Sequence, residues 1–389
     1  MTSRSLSRRS LVRGSAAGAV LAVAGRTDAH AGDHPTEPPA PGLPAATARA
    51  LRAAVSDLAH PPATCAQLRV TAHGGHWYGG AGAADPASGR AARPDDAFRA
   101  GSVTKTFVAT VVLQLRAERR VRLDAPVGRY LPGLLPHPFT RITVRHLLTH
   151  TSGLPDHRGL PDLSTPEAVL RHRWDRWTPE EWVRTVTHDP LKFRPGTRQE
   201  YRGINYVLLA LLVEELTGRP YGEAITSRIL RPLGLRRTLL PDDDPHLHGS
   251  HIRGFLRMTD GSLGDVAVYR QSSAWGEGEL VSSVDDLYRF QQALFSGWLL
   301  PPSAMELLFT TPPQPVRMLD GSPARYSAGL QKATVNGVTF WGKTGETYGY
   351  RTRMFATRDL GLRFVLAYHP TPLRSSEQMI PRVVDALTT

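Results

Sequence analysis

Strand-like segments lie near both ends of this chain, and helical patterns fill the long stretch between them. Alternating β-type residues at 67–71 predict one strand on the N-terminal side, and the Gly-rich stretch after them predicts a turn. On the C-terminal side, Asp359-Leu360-Gly361 joins two further strand patterns as a hairpin. The C-terminal strands are predicted at 338–341, 351–357 and 362–368. The sequence therefore predicts an α/β (α+β) fold with an antiparallel sheet built from both chain ends and flanked by helices. A mainly helical lobe is inserted at about residues 119–254.

The predicted helices follow apolar residues at helical spacing. The clearest covers residues 102–118 and places Phe107, Val111 and Leu115 on one face. The others are predicted at 47–58 with Thr47 as N-cap, at 205–216 before Gly218, after Ser283, and at 376–387.

The first 31 residues have the order of an export signal. Four arginines precede a weakly apolar stretch at 15–25, and Ala29-His30-Ala31 supplies small residues for cleavage. Arg8-Arg9 resembles a twin-arginine signal. The apolar stretch is shorter than the roughly 20 residues that span a bilayer. We predict a signal peptide at 1–31, a Pro/Gly-rich linker at 32–45 and one folded domain at 46–389. The mature protein would be secreted or extracytoplasmic, without a transmembrane segment.

Composition narrows the classes of partner and site. The formal charge of +12 favours anionic neighbours such as a cell-wall polymer or a lipid surface, and no nucleic-acid motif accompanies it. The single cysteine, Cys65, excludes an internal disulfide and is predicted to be a small buried residue. A desolvated lysine can lose its proton and an arginine cannot, so the few lysines of this arginine-rich chain are candidates for proton transfer. They are Lys105, Lys192, Lys332 and Lys343.

One candidate site begins at Ser102-Val103-Thr104-Lys105, where a glycine precedes the apolar helix. A spacing of three residues places Ser102 and Lys105 on one helix face. A serine hydroxyl needs a neighbouring base to become a strong nucleophile, and a lysine in a partly dry pocket can be that base. The free backbone N–H groups of the first helical turn can stabilise a developing oxyanion.

A second candidate is Lys343-Thr344-Gly345, which follows a strand pattern. The ammonium and hydroxyl groups suit a substrate carboxylate, and the glycine allows a ligand backbone to approach closely. The alternative is an ordinary turn in a hairpin.

A third candidate is Tyr201, just before the helix predicted at 205–216. A phenol near two ammonium groups is pushed toward ionisation and can relay a proton. The alternative is a packing residue.

Together these segments resemble the class C β-lactamase and D-alanyl-D-alanine carboxypeptidase family, with the exported carboxypeptidases most similar. The resemblance covers about residue 46 to the end of the chain. Beyond the catalytic motifs it rests on the stretches 98–107, 147–154, 201–218, Pro232-Leu233-Gly234-Leu235 and 342–350.

The resemblance implies an acyl-enzyme mechanism without a metal or organic cofactor. Ser102 would attack a carbonyl, Lys105 would take its proton, and Tyr201 would pass a proton to the leaving group. The backbone N–H groups of Ser102 and Glu346 would bind the oxyanion. The residues that would hold the substrate's carboxylate are Lys343 and Thr344, with Gly345 beside them.

The function implied is an exported D-alanyl-D-alanine carboxypeptidase acting on small peptides such as cell-wall stem peptides, with β-lactams as acylating ligands. An esterase, a β-lactamase or a D-amino-acid amidase would use the same chemistry on another substrate. A non-turnover penicillin-binding protein remains the third alternative.

One position departs from the family's pattern. The family usually has Tyr-x-Asn, whose amide binds the acylamide oxygen of the substrate, whereas this chain has Tyr201-Arg202-Gly203. Loss of one polar contact in a site is worth roughly 1–3 kcal/mol, and Arg202 is the candidate to compensate. His150 is predicted to be a structural residue of its loop, and Asp156 is predicted to be a turn residue. Lys332 could help to bind a carboxylate, but the sequence favours an ordinary surface residue.

Overall fold

The described residues form a large sheet and several short ladders. A computed structural model describes residues 42–388 of the chain. Their strands, in chain order, are β1 (Ala63–Ala72), β2 (Gly75–Asp85), β3 (Arg90–Ala91), β4 (Phe98–Arg99), β5 (Arg198–Gln199), β6 (Phe255–Arg257), β7 (Leu263–Asp265), β8 (Val281–Ser282), β9 (Arg317–Met318), β10 (Gln331–Val335), β11 (Val338–Thr347), β12 (Tyr350–Ala356) and β13 (Arg363–Pro370). Within residues 42–388, seven of them make one sheet in the order β10-β11-β12-β13-β1-β2-β3. All neighbouring pairs are antiparallel.

The two ends of the chain meet inside this sheet, because β1 pairs directly with β13. Leu68 lies opposite Leu366, and Val70 lies opposite Phe364. The predicted antiparallel sheet built from both chain ends is therefore confirmed. The three C-terminal strands lie where the sequence indicated, although β11 continues well beyond the predicted residue 341.

Helices cover the two faces of the sheet. They are α1 (Ala45–Ser56), α2 (Thr104–Ala117), α3 (Val144–Leu148), α4 (Pro166–Arg171), α5 (Pro179–Arg184), α6 (Ile204–Thr217), α7 (Tyr221–Ile225), α8 (Arg231–Leu233), α9 (Val284–Phe295), α10 (Pro302–Leu308) and α11 (Met379–Thr388). Phe364 and Leu366 pack with α1 and α11, whereas Val365 and Ala367 belong to the apolar cluster of α2, α6 and α9. Because alternate residues of a strand point to opposite faces, the two clusters lie on opposite sides of the sheet.

Several predicted helix ends are confirmed by their local chemistry. Gly218 ends α6 in the left-handed conformation, with φ at 68°. The Ser283 side chain accepts a hydrogen bond from Asp286 N and caps α9. The prediction of Thr47 as an N-cap was wrong, because α1 begins at Ala45 after Pro44, whose restricted φ suits a chain about to enter a helix.

Two further boundaries differ from the sequence prediction. The Gly-rich stretch after residue 71 was expected to be a turn, but most of it is the strand β2, which pairs along the length of β1. The last helix begins at Met379 rather than at residue 376. Just before it, Glu377 is held by an ion pair with the buried Arg353 of β12.

The stretch predicted as a helical lobe carries α3 to α8 in its described residues. Its strand β5 is two residues long and pairs in parallel with β9. The predicted signal peptide and most of the predicted linker lie outside the described residues. Among residues 42–388, the helices are too short or too polar to cross a membrane.

Candidate active site

The candidate nucleophile lies at the start of the most buried helix. Ser102 is the middle residue of a 3-10 turn, Gly101–Val103, which leads directly into α2. One turn further on, Lys105 has only 1% of its surface exposed, and its Nζ lies 3.2 Å from the Ser102 Oγ. The two side chains face each other within hydrogen-bond distance, which is the geometry that a nucleophile and its base require.

Hydrogen bonds on both sides of Lys105 fix the beginning of α2. The Thr104 hydroxyl accepts from Leu280 N at 3.0 Å, and the Thr106 hydroxyl donates to Gly329 O at 2.9 Å. Further along the helix, Phe107 stacks on Phe290 of α9 with ring centroids 3.7 Å apart. These contacts tie the helix to three distant segments, so the lysine amine has little freedom to move away from Ser102.

The strand β11 runs alongside the nucleophile turn. β10 pairs with β11 only as far as Gly342, and the following residues of β11 contact the turn Gly101–Val103. A Cβ added at Gly345 would lie 1.9 Å from the carbonyl oxygen of Ala100. Only glycine allows this approach of strand and turn.

The same approach places the backbone of Glu346 against the nucleophile turn. Gly101 has φ at 57°, and a Cβ there would lie 2.5 Å from Glu346 N. Because Ser102 follows Gly101 directly, the N–H groups of Ser102 and Glu346 belong to adjoining backbone segments. The Glu346 side chain points elsewhere, with its carboxylate 2.9 Å from Arg353. Thus the backbone of Glu346, and not its side chain, adjoins the nucleophile turn.

Tyr201 lies between the two buried lysines. The Nζ atoms of Lys105 and Lys343 lie 5.2 Å and 4.6 Å from the centre of its ring. Burial alone would raise the pKa of the Tyr201 hydroxyl, but the two ammonium groups and the nearby Ser102 and Lys343 side chains outweigh it and lower that pKa below its ordinary value. The hydroxyl is buried and makes no hydrogen bond of ordinary geometry within residues 42–388. It is available to move a proton.

Lys343 is buried at the edge of β11, with 2% of its surface exposed. Its Nζ donates to the carbonyl oxygen of Thr344 at 2.9 Å and lies 3.4 Å from the Thr344 hydroxyl. Burial lowers the pKa of Lys343, the attraction of Tyr201 opposes this, and the positive charge of Lys105 adds to it. Ser102, Lys105, Tyr201 and Lys343 therefore form one cluster.

His150 supports the Tyr201 loop from behind. Its Nδ1 accepts from Arg202 N at 3.2 Å and lies 3.1 Å from the Asn205 amide nitrogen. The imidazole also packs on the Tyr201 ring, with centroids 4.6 Å apart. Burial, reinforced by two lysine charges, lowers the pKa of His150 far below its usual value. A neutral imidazole that accepts from the backbone orients the loop.

Glu277 is a site residue that the sequence did not suggest. Its Oε2 lies 3.3 Å from the Lys105 Nζ, and its Oε1 accepts from Trp182 Nε1 at 3.3 Å. The same lysine also donates to the Glu277 backbone oxygen at 2.6 Å. A Cβ at Gly203 would lie 1.3 Å from Oε2. The carboxylate therefore occupies the space that a side chain at Gly203 would need.

A second buried acid anchors the loop that carries Glu277. The Glu279 carboxyl accepts from the Tyr221 hydroxyl and from Gly276 N. Burial raises the pKa of Glu279 to about 8, although its hydrogen bonds oppose the shift. The hydrogen bond from Gly276 N fixes the backbone next to Glu277.

The other residues raised by the sequence lie in supporting or surface positions. Arg202 does not replace the missing Asn, because its guanidinium binds Asp156 and the carbonyl oxygen of Pro155. Lys192 also pairs with Asp156, which makes Asp156 more than the turn residue that was predicted. Lys332 is an exposed residue of β10.

The single cysteine of the chain does not compete with Ser102 as a nucleophile. Cys65 is buried, and burial raises the pKa of its thiol to about 12, so it is a poor nucleophile. Residues 42–388 contain no group of three or more His, Cys, Asp or Glu side chains arranged to hold a metal ion.

Comparison with known proteins places this geometry in a family. The beta-lactamase family profile matches residues 54–387. The crystal structure of a D-stereospecific amidohydrolase from Streptomyces sp. superposes with a TM-score of 0.75 at 34% identity, covering 88% of this chain and 98% of that one.

Curated relatives match shorter stretches. A penicillin-binding protein of Bacillus subtilis is 28% identical over 291 residues, which is 70% of this chain and 60% of that protein. The esterase EstB of Burkholderia gladioli is 36% identical over 183 residues, covering 43% of this chain and 44% of EstB. The chain thus spans less than two thirds of these relatives. It belongs to the serine β-lactamase and penicillin-binding protein family.

Proposed function

We propose that the protein hydrolyses amides of D-amino acids and short D-peptides through an acyl-enzyme on Ser102. The contact of 3.2 Å between the Lys105 Nζ and the Ser102 Oγ carries the proposal, because it supplies an activated nucleophile in a buried site. The D-stereospecific amidohydrolase, similar along almost its whole length, supports an amide substrate.

In the proposed mechanism one proton moves from Ser102 to Lys105, and another moves from Tyr201 to the leaving group. Lys105 accepts the Ser102 proton as the oxygen attacks the amide carbon. The oxyanion that forms is stabilised by the N–H groups of Ser102 and Glu346. Tyr201 passes a proton to the amide nitrogen, the C–N bond breaks, and the amine leaves. Water then hydrolyses the ester on Ser102, and the same groups act in reverse.

A D-alanyl-D-alanine carboxypeptidase acting on cell-wall peptides is the second candidate. The buried ammonium of Lys343 beside the Thr344 hydroxyl favours it, because the pair suits the terminal carboxylate of a peptide. Glu277 weighs against it, since a carboxylate accepts hydrogen bonds and cannot donate one to an acylamide oxygen. The site therefore favours the amidase.

The esterase, β-lactamase and non-turnover alternatives share the same nucleophile. Similarity to EstB supports the first of these and similarity to a penicillin-binding protein the last. They differ from the amidase in leaving group and in deacylation, which only a substrate panel separates.

The test compares four substrates and one penicillin on the purified protein and its Ser102→Ala variant. The substrates are D-phenylalaninamide, its L-enantiomer, an acyl-D-Ala-D-Ala peptide and p-nitrophenyl acetate. We expect Ser102-dependent turnover of the D-amide. A stable mass increase with penicillin and no turnover of any substrate would establish the non-turnover penicillin-binding protein instead. Release of D-alanine from the peptide with no turnover of either amide would establish the carboxypeptidase instead. Turnover of the ester alone would establish the esterase.

We also propose that the protein is exported by the signal predicted at residues 1–31. Support comes from the Arg8-Arg9 pair and the apolar stretch that follows it. Expression of the full chain and of an R8K/R9K variant in a bacterial host, followed by fractionation, tests the proposal. The variant should remain in the cytoplasm. Equal export of both forms would contradict it.

A further inference from the structure

The part of the site that would face the acyl group of a substrate holds the Glu277 carboxylate. It lies beside Gly203, the position at which the family usually has Asn. Gly203 has no side chain, and the carboxylate of Glu277 lies in the space that a Cβ there would enter. The Glu277 side chain has 17% of its surface exposed, whereas Lys105 beside it has 1%. The carboxylate is therefore open to a ligand from one side and held by the protein from the other.

The carboxylate also has unused acceptor capacity. Trp182 Nε1 donates to Oε1, and the Lys105 Nζ donates to Oε2. A carboxylate can accept about four hydrogen bonds, so roughly two positions remain. A ligand cation would be attracted by the charge and would find free lone pairs.

The carboxylate lies close enough to the nucleophile to contact the acyl group of a substrate. Lys105 bridges the two, since its Nζ lies 3.2 Å from the Ser102 Oγ and 3.3 Å from the Glu277 Oε2. In an α-amino acid amide the amino nitrogen lies about 2.5 Å from the carbonyl carbon that the serine attacks. A substrate whose carbonyl reaches Ser102 can therefore place its amine near Glu277.

We propose that Glu277, in the space left by Gly203, binds the free α-ammonium group of the substrate. This inference rests on the proposed amide hydrolysis and names its substrate class, which is amino acid amides and peptides with a free α-amino group. An N-acylated substrate carries no positive charge there and brings a carbonyl oxygen toward the carboxylate, so it is disfavoured. Within residues 42–388, the nearby Asp156 pairs with two cations, Arg202 and Lys192, whereas Glu277 pairs with the single cation Lys105.

Binding to the inactive Ser102→Ala protein tests the inference without requiring turnover. Calorimetry at pH 6.5, where an α-ammonium is still charged, compares D-phenylalaninamide with N-acetyl-D-phenylalaninamide. In the Ser102→Ala background we expect the free amine to bind more tightly. A Glu277→Gln substitution should weaken its binding 10- to 100-fold, as loss of a charged hydrogen bond does, and leave the acetylated ligand within about threefold.

Asp156→Asn is the matched control, because it removes a nearby carboxylate, and that carboxylate does not contact Lys105. It should leave the ratio of the two affinities unchanged. The inference is overturned if Glu277→Gln leaves that ratio unchanged, or if Asp156→Asn abolishes the preference instead. Absence of amide turnover by the wild-type protein would refute the proposed amidase and would leave this binding result standing.

Discussion

The close contact between β11 and the nucleophile turn makes Gly345 the most sensitive glycine in this site. A Cβ there would lie 1.9 Å from the Ala100 carbonyl oxygen, whereas a carbon and a carbonyl oxygen normally stay about 3.3 Å or more apart. Gly345→Ala therefore forces strand and turn apart by about 1 Å or more. Both contacting atoms belong to backbone segments, so no side chain can swing away to relieve the clash.

The expected loss of activity follows from that displacement. The N–H groups of Ser102 and Glu346 lie on the two segments that separate, and a misplacement of about 1 Å costs about 100-fold in rate. Loss of one oxyanion donor costs about 100- to 1,000-fold. We expect kcat for p-nitrophenyl acetate to fall by about 100-fold or more. Overpacking should also destabilise the fold by about 1–3 kcal/mol.

A second glycine on the same strand provides the control. A Cβ at Gly342 would lie 2.0 Å from the Met354 carbonyl oxygen, so Gly342→Ala crowds β12 rather than the nucleophile turn. It should lower the melting temperature by a similar amount and reduce kcat far less. Steady-state kinetics on folded fractions, with melting curves of both variants, make the comparison. Equal activity losses in the two variants, or a Gly345→Ala enzyme within threefold of wild type, would refute the reasoning.

Three further predictions concern the residues around the nucleophile. Tyr201→Phe should reduce kcat for a D-amino acid amide by about 100-fold or more and kcat for p-nitrophenyl acetate much less. The reason is that an amine leaving group needs a proton and a nitrophenolate does not. Equal losses in the two kcat values would argue against proton relay by Tyr201. Gly203→Ala should displace the Glu277 carboxylate and weaken binding of a free amine. Adding Glu277→Ala to this variant should cause little further loss of affinity. Additive effects in the double-mutant cycle would contradict the contact between the two residues. Burial raises the pKa of Glu279 from 4.5 to about 8, so its contribution to stability is fully present below about pH 4.5 and is lost progressively as the pH rises to about 8. Glu279→Gln should flatten that part of the pH profile of the melting temperature. An unchanged slope would exclude the pKa shift.

Local patterns in the sequence were sufficient for the elements that carry the nucleophile. The apolar spacing of Phe107 and Val111 predicts α2, and the three-residue spacing places Ser102 beside Lys105 in any α-helix. Alternating residues near both ends predict the sheet, because strand periodicity is a local property. These predictions depend on local sequence and not on tertiary packing.

The acyl side of the site could not be predicted in the same way. The contact between Gly203 and Glu277 joins two loops that are far apart in the chain, and their meeting depends on how α6 and the Glu279 loop pack. The sequence offered two hints, a glycine where the family has Asn and an acid between Gly276 and Gly278. Neither hint specifies a partner, since loop contacts follow tertiary packing rather than periodicity.

The central claim is that Lys105 makes the Ser102 hydroxyl reactive. Rapid-quench peptide mapping after reaction with p-nitrophenyl acetate measures both the position and the rate of acylation. We predict one acetyl group on Ser102 in the wild-type protein, and acylation slowed by about 100-fold or more in Lys105→Met, which removes the amine and keeps similar volume. An acetyl group on another residue, or a Lys105→Met protein that is acylated at the wild-type rate, would contradict the account.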